Sequence, residues 1–435
     1  MFKAISQTQL FGDAFWALFG QMASAVALLL GTRLLTELIA PDVYGQVALL
    51  NGFVALGVAV FSYPFICAGM RIVPECQNPA ERLGLHAAVA GLTLKATGLA
   101  IAALILAGLI YGQFADGNMI LFVLAGLLLA ITVQRELGIQ LAIGERKQRL
   151  ASLWQTSDSI LRPLLAIGLV WYLGGNAEWV LLGYILASLL SNLIWIVARR
   201  RRAVPAQASA SRHFGREVWV YALPLIPMEL IFWINGLGDR YVIGYLLTAA
   251  DVGLYAATYT IVNEAFNRSA MVLLRTFQPA YFQAFSANNI RQAYAVLWVW
   301  ISSVAGLGVL GLLVVLLTKD WVASLVLAES YHTAVNLMPA MALGCALHAL
   351  GTALAQPLLA RKRTKILLKG RVCGVVSAAI SIPLMVSQFG LPGAAWANPL
   401  YFGIEALVLA LLAKPWHAVE QALVKTPGLN AMSLT

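Results

Sequence analysis

The sequence is short of charged residues. Of its 435 residues only 11% are Asp, Glu, Lys or Arg, and 60% are hydrophobic. The mean hydropathy is +0.80. A water-soluble domain carries about 25% charged residues, because its surface faces water. We therefore expect most of the surface of this chain to face lipid.

Several chemical signatures are also missing. No GxxxxGK[ST] phosphate loop, HExxH or GxSxG sequence occurs, which excludes ATP hydrolysis by that route and argues against these hydrolase motifs. The four cysteines (67, 76, 345 and 373) form no CxxC pair or His/Cys metal spacing, so we expect buried free thiols. We expect no enzyme, no metal site and no cofactor, with H⁺ or Na⁺ as candidate coupling ions.

Long apolar runs dominate what is present. A helix needs about 20 mostly apolar residues to cross a bilayer. We predict twelve such helices, near residues 15–37, 44–66, 85–111, 119–143, 150–173, 177–198, 217–238, 251–275, 293–318, 334–358, 366–388 and 393–413. The predicted fold class is therefore an all-α integral membrane protein.

The basic residues predict an orientation. The net charge is +10, but Lys and Arg come in short clumps between apolar runs, so we expect no nucleic-acid partner. Most of the 29 basic residues lie at alternate joints, starting from the N-terminus. Positive charge stays on the cytoplasmic side during insertion, so both termini are expected to be cytoplasmic.

A duplication organises the chain. APDVYGQVALL (40–50) and AADVGLYAATY (249–259) both precede a predicted span, with Gly45 and Gly253 placed 208 positions apart. Arg162 and Arg371, and also Gly183 and Gly393, repeat at nearly the same distance. We predict two six-span lobes, 1–198 and 217–413, joined by a basic cytoplasmic linker, 199–216, and followed by a cytoplasmic tail, 414–435. Six is an even number, so the copies are parallel, as in transporters with a midplane site and rocking lobes.

Three stretches resemble a known family. ALPLIPMELIFWINGLGDRYVIGYLLTAADVGLYAATY (222–259), RLLTELIAPDVYGQVALL (33–50) and LARKRTK (359–365) are similar to segments of bacterial polysaccharide transporters. These form the Wzx-like branch of the multidrug/oligosaccharidyl-lipid/polysaccharide exporter superfamily. The resemblance implies a MATE-like fold in the bacterial inner membrane. It also implies transport of undecaprenyl-pyrophosphate-linked oligosaccharides, with membrane lipid and the polymerase and chain-length proteins of that pathway as partners.

Ionisable residues inside predicted spans are candidate functional groups, because each one costs about 2.5–3.5 kcal/mol at a helix centre. By analogy with related transporters, we expect Arg33, Arg135 and Arg268 at a cationic cavity, with Arg240 at its outer mouth. Arg suits phosphate because its guanidinium is a planar fork. Lys95 is a further candidate cation, with snorkelling to the interface as the alternative.

Carboxylates supply the candidates for coupling. Glu229 and Glu264 could exchange a proton as access alternates. Glu264 and Arg268, like Asp158 and Arg162, are four residues apart and could instead be structural ion pairs. Asp239 next to Arg240 could likewise be an anchor near the end of span seven.

Three functions are compatible with these features. The first is a flippase for lipid-linked oligosaccharides of O-antigen, exopolysaccharide or capsule synthesis. The second is a cation-coupled multidrug exporter of the same fold. The third is an O-antigen polymerase or ligase, which the absence of a large outward loop argues against. In the first lobe, bases outnumber acids within the predicted spans, and this favours an anionic cargo.

Overall fold

A computed structural model describes residues 7–76, 78–114, 118–145, 147–199 and 208–414. All the elements in these ranges are helical. The fourteen α-helices are α1 Gln7–Leu38, α2 Pro41–Leu56, α3 Tyr63–Ile72, α4 Pro79–Phe114, α5 Met119–Gly144, α6 Gln148–Leu173, α7 Ala177–Arg199, α8 Ala208–Ala222, α9 Ile226–Leu246, α10 Ala249–Ser286, α11 Ile290–Val326, α12 Met338–Leu354, α13 Gln356–Ala360 and α14 Thr364–Ala413.

Eight helical segments of the described chain are long and apolar enough to cross a membrane. They are Leu18–Leu38, Pro41–Ile72, Ala80–Ile110, Met119–Gly144, Phe214–Leu246, Ile290–Val326, Glu329–Ala360 and Thr364–Ala413. The last is 50 residues long, more than twice the length that one crossing needs. It breaks at Gly390, whose φ of 62° is a left-handed conformation that glycine adopts without a steric penalty.

Each of the twelve predicted spans lies in helical chain, with short interruptions that have identifiable causes. The second span contains a π-helical segment at Gly57–Ser62, followed by Pro64 near the start of α3. The seventh contains a 3₁₀ turn at Leu223–Leu225, between α8 and α9. Proline removes a backbone donor, so it favours such irregular turns inside helices.

The chain forms two compact units. One consists of Met1–Gly238, Ala249–Gly253 and Leu325–Ser330, and the other of Asp239–Thr248, Leu254–Ser324 and Tyr331–Thr435. Residues 208–216 of the predicted linker are helical and belong to α8. Trp219 of this helix stacks on Phe65 at 5.5 Å between ring centroids, so α8 packs within the first unit. The predicted tail beyond Lys414, and residues 200–207 of the linker, lie outside the described residues.

The four cysteines are free thiols, as expected. Cys76 and Cys345 are buried, and Cys67 and Cys373 are partly buried. Burial raises the pKa of the Cys76 thiol, which keeps it protonated and unreactive at neutral pH.

The two glycines of the predicted repeat contact each other's segments within the first unit. A Cβ on Gly45 would lie 1.8 Å from the carbonyl oxygen of Ala249, and a Cβ on Gly253 would lie 1.8 Å from that of Pro41. The two contacts are reciprocal: each glycine faces the carbonyl oxygen of the residue four positions before the other glycine. Pro41 and Ala249 are, like the glycines, 208 positions apart. The starts of α2 and α10 therefore cross at a distance that only glycine permits.

A second element of the repeat was not anticipated. Glu145 and Arg361 have nearly the same backbone angles, with φ/ψ of −81°/6° and −82°/3°. Lys147 and Arg363 also match, at −92°/53° and −88°/54°. The Lys147 N–H donates to the Ala142 carbonyl at 2.8 Å, and the Arg363 N–H donates to Leu358 at the same distance. The turns before α6 and α14 thus match at the residues that the structure describes, 216 positions apart.

This larger spacing corrects the other two predicted correspondences. Arg162 follows Lys147 by 15 residues, whereas Arg371 follows Arg363 by eight, so the two arginines differ in depth by about two helical turns. Gly183 packs on Ala166 in α6, whereas Gly393 packs on Met385 close to the break in α14. The spacing of 208 to 210 therefore does not hold along the whole chain.

Candidate functional site

The largest group of charged side chains in the first unit surrounds Asp158. The Arg135 guanidinium, on α5, pairs with Asp158 on the neighbouring helix α6. It also lies 2.6 Å from the carboxylate of Glu136. Arg162, one turn after Asp158 on α6, lies 2.9 Å from the same carboxylate. The Ser188 hydroxyl donates to Asp158 at 2.8 Å. Asp158 is buried, so its charge is compensated by two guanidinium groups instead of by water.

The structure contains the predicted Asp158/Arg162 pair and adds Arg135 to it. Arg162 also donates to the Thr132 and Ser188 hydroxyls, at 3.2 and 3.0 Å. This group thus links α5, α6 and α7. Two acids and two bases make it neutral, and Arg135 would have to release a carboxylate in order to bind a phosphate.

Arg33 is held by two partners. Its guanidinium lies 2.5 Å from Glu37, one turn along α1, and donates to the carbonyl of Leu327. Next to this contact, the backbone N–H of Ala328 donates to the Thr36 hydroxyl at 3.2 Å. Residues 325–330 are part of the first unit, so these bonds fix the end of α1 to that segment.

Arg268 and Glu264 form the predicted pair on α10. The Arg268 Nε lies 2.6 Å from the Glu264 carboxylate. Both side chains are partly exposed, at 26% and 21%. The pair is less enclosed than the one at Asp158, so Arg268 remains accessible to a ligand while Glu264 balances its charge.

Arg240 differs from these three arginines. No carboxylate in the described part of the chain forms an ion pair with it, and its Nε is buried without a hydrogen-bond partner. The backbone N–H of Arg240 donates to the neighbouring Asp239 carboxylate at 2.8 Å. Of the predicted cavity cations, Arg240 is therefore the guanidinium whose charge is least satisfied by the protein.

Asp239 is the starting point of a buried hydrogen-bonded chain in the second unit. The Tyr255 hydroxyl donates to Asp239 at 2.5 Å, and the Asn398 amide donates to the Tyr255 oxygen at 2.6 Å. The Tyr401 hydroxyl donates to Asn398 at 2.8 Å. This series of hydrogen bonds connects α9, α10 and α14. Sequence reasoning missed it, although Asn398 in an apolar span was a usable signal.

A second ion pair that the sequence did not indicate joins two parts of α14. Arg371 pairs with Glu405, which is buried, and lies 3.4 Å from the Thr352 hydroxyl of α12. The ring of His348 packs against Phe402, with centroids 4.6 Å apart. His348 is thus part of the packed interior.

The remaining predicted candidates have no ion pair among the described residues. Lys95 is exposed on α4, on the same face as Leu94 and Leu99, which are exposed at 68% and 63%. This position favours the snorkelling alternative for Lys95. Glu229 is half-buried on α9, close enough to Tyr63 and Cys67 to interact with them electrostatically.

No group of three or more His, Cys, Asp or Glu side chains in the described ranges could hold a metal ion. The first-unit candidates Arg33 and Arg135 have no partner in common. In the second unit, Arg268 pairs with Glu264, and the backbone N–H of Arg240 donates to Asp239. The charged groups are thus separate clusters within the units.

Similarity to known proteins identifies the family and the fold. Residues 10–285 match the family model described as polysaccharide biosynthesis protein. No curated protein matches the sequence. A solved structure titled as an inward-facing multidrug resistance MATE family transporter of the MOP superfamily is 16% identical, with a TM-score of 0.67 over 98% of this chain and 97% of that one. The lipid II flippase MurJ, in an inward closed conformation, is 15% identical, with a TM-score of 0.66 over 95% of this chain and 91% of that one.

By their titles, these two structures are a multidrug transporter and a lipid II flippase. At these identities the structural likeness establishes the fold alone. The family match covers more than half of the sequence. The chain belongs to the polysaccharide biosynthesis protein family and has the fold of the MATE and MurJ transporters.

Proposed function

We propose that the protein is a flippase that moves undecaprenyl-pyrophosphate-linked oligosaccharides across the bacterial inner membrane, for O-antigen, exopolysaccharide or capsule synthesis. The observation that carries the proposal is the polysaccharide-family match on a fold shared with a lipid II flippase. A polyprenyl tail is soluble in the bilayer, but a pyrophosphate headgroup is not. The protein must therefore supply cations along its path.

Arg240 is the first of these cations in our proposal. It lies in the apolar Phe214–Leu246 segment, and no carboxylate of the described residues forms an ion pair with its guanidinium, although Asp239 is its neighbour in the sequence. An uncompensated cation at membrane depth costs a few kcal/mol, and a bound phosphate would offset that cost. The planar guanidinium can bind two phosphate oxygens at once. After Arg240, the headgroup would bind Arg268, Arg33 and Arg135. Each of these arginines would release its carboxylate partner in order to bind the phosphate.

The proposal includes twelve crossings, cytoplasmic termini and alternating access driven by H⁺ or Na⁺. Glu229 is the preferred coupling residue, because it is half-buried and has no ion-pair partner in the described chain. Glu264 is second, since it is engaged by Arg268 at 2.6 Å. The polymerase and chain-length proteins of the same pathway are the proposed partners after translocation.

A cation-coupled multidrug exporter is the second candidate. The similarity to a MATE transporter favours it, with a TM-score equal to that of MurJ within 0.01. An exporter of cationic drugs needs free carboxylates, and Glu229 and Asp239 both lack an ion pair among the described residues. The match to the polysaccharide biosynthesis family supports the flippase over the exporter.

The two functions can be distinguished by measuring surface glycan and ethidium resistance in a strain that lacks the chromosomal gene and carries a plasmid copy. We expect Arg240→Ala to abolish surface glycan and to leave ethidium resistance unchanged. Arg71→Ala is the control, because its pair with Glu75 is exposed at 59% and 52% and contributes little. Lost ethidium resistance with normal surface glycan in the Arg240→Ala strain would instead establish the drug exporter.

A further inference from the structure

The two matching turns before α6 and α14 carry different charges. In the first, Lys147 pairs with Glu145, which also lies 3.5 Å from His86. In the second, the equivalent positions are Arg361 and Arg363, with Lys362 between them. No Asp or Glu occurs between Glu329 and Glu405 in the sequence. The same backbone therefore presents a partly neutralised turn in one unit and a wholly cationic one in the other.

The cationic region extends beyond this turn. Arg275 and Arg291 lie toward the adjoining ends of α10 and α11, and the sequence between Glu264 and Asp320 has no acidic residue either. The Arg361 guanidinium donates to the Tyr294 hydroxyl of α11 at 2.9 Å, which holds it in place. We call the seven basic residues of this region the basic end of the second unit. They are Arg275, Arg291, Arg361, Lys362, Arg363, Lys365 and Lys369. None of them forms an ion pair among the described residues.

Membrane insertion does not account for the missing acids. The orientation of a membrane protein follows from the number of Lys and Arg residues near its spans, and Asp and Glu contribute little. The turn at 145–147 is compatible with a cytoplasmic position even though it contains Glu145. Bulk anionic phospholipid does not account for the difference either, because it would surround both units and favour the same change in both turns. A ligand that arrives at one unit would account for the asymmetry.

The adjoining face of α14 indicates what that ligand carries. Lys365 and Lys369 are exposed, and Val372, Val376 and Ile380 continue the same side of the helix at intervals of three or four residues. The three apolar side chains are exposed at 41%, 51% and 58%. A stripe that changes from cationic to apolar along a membrane helix matches a lipid with an anionic headgroup.

We propose that the basic end of the second unit is the docking surface where the pyrophosphate headgroup of the lipid-linked oligosaccharide first binds. The headgroup contacts Arg363 and Lys365, and the polyprenyl chain lies along Val372, Val376 and Ile380. The proposed orientation places this surface at the cytoplasmic leaflet, where such a substrate is assembled. The inference rests on the proposed function and assigns the binding step to residues outside the predicted cavity.

The test uses the full-length protein in neutral detergent and geranylgeranyl diphosphate as the probe, with binding measured by calorimetry. The test variant is R363Q/K365Q, and its matched control is K147Q/R149Q at the equivalent positions 216 residues earlier. We expect the dissociation constant to rise about tenfold or more in the test variant and less than about twofold in the control. Lys369→Gln, on the exposed face of α14, should give a smaller increase without touching the turn.

Each other outcome overturns the docking surface. Equal losses in the test and control variants would show that only general positive charge matters. Binding of short-chain phosphatidylglycerol as tight as that of the diphosphate would assign the surface to bulk phospholipid. If the wild-type protein bound neutral geranylgeraniol as well as the diphosphate, the proposed substrate class would fail too. If the wild-type protein binds the diphosphate tightly and neither variant loses affinity, the docking surface is overturned and the proposed function still stands.

Discussion

Charged side chains inside an apolar chain are the residues on which the account depends. Asp158 lies between Arg135 and Arg162, Arg371 pairs with Glu405, and Arg240 forms no ion pair among the described residues. Buried ion pairs add little net stability, because desolvation cancels most of their attraction, but breaking one leaves a charge that is costly to bury. The paired residues therefore hold the helices in place, and the unpaired one is available for a ligand.

The shared carboxylate leads to a prediction about stability. We expect Asp158→Asn to destabilise the protein more than Arg135→Gln does. Asparagine at 158 leaves Arg162 with hydroxyl partners alone, whereas Arg135→Gln leaves Asp158 paired to Arg162 at 2.9 Å. Loss of a buried partner costs about 3–5 kcal/mol. The midpoint of thermal unfolding in detergent measures the difference.

Arg71→Gln serves as the control for this comparison. Its pair with Glu75 is exposed, so the midpoint should change little. An Arg135→Gln midpoint as low as that of Asp158→Asn would contradict the shared-carboxylate arrangement.

Pairs within one helix were predictable from sequence, and pairs between helices were not. Asp158 with Arg162 and Glu264 with Arg268 follow from a spacing of four residues, which places both side chains on one helix face. The contacts of Arg135 with Asp158, and of Tyr255 with Asp239 and Asn398, join separate helices. Their existence depends on packing that no local pattern encodes, so the sequence could mark these residues as unusual but could not name their partners.

At the scale of helices, close crossings require residues without side chains. The starts of α2 and α10 meet at Gly45 and Gly253, each facing a carbonyl oxygen of the other segment. Here the repeated sequence and the repeated structure coincide, because a glycine at the crossing is a steric requirement. The turns before α6 and α14 share a backbone without sharing side chains, so sequence comparison overlooked them and misaligned Arg162 with Arg371.

The close crossing of α2 and α10 leads to a second prediction, about the effect of adding one methyl group at either glycine. Gly45→Ala or Gly253→Ala should lower the unfolding midpoint and reduce transport, because the added Cβ would lie 1.8 Å from a carbonyl oxygen and force the helices apart. Gly98→Ala is the matched control, since no atom lies within 4 Å of its added methyl group. Alanine at 98 should be neutral or slightly stabilising, as alanine favours helix more than glycine does. Equal effects at positions 45 and 98 would refute the close crossing.

At the scale of the whole molecule, composition and helix length were sufficient to predict a helical membrane protein. The scarcity of charge determines the class, and the apolar runs place each predicted span within helical chain. The π-helical segment at Gly57–Ser62 and the helical structure of residues 208–216 were not predicted. The helix that contains residues 208–216 depends on a neighbouring helix, since Trp219 packs on Phe65, and a polar stretch such as ASASRHFGRE carries no sign of that contact.

The central claim is that the molecule carries a lipid whose headgroup is a phosphate-linked glycan. Its most direct test is a transport measurement on the purified wild-type protein in proteoliposomes. One set contains a fluorescently labelled polyprenyl-pyrophosphate oligosaccharide, and quenching of the label from outside reports the fraction that has crossed. A second set measures ethidium uptake under the same pH or Na⁺ gradient. We predict protein-dependent crossing of the glycan lipid and ethidium movement no faster than in protein-free vesicles; rapid ethidium transport with no crossing of the glycan lipid would contradict the account.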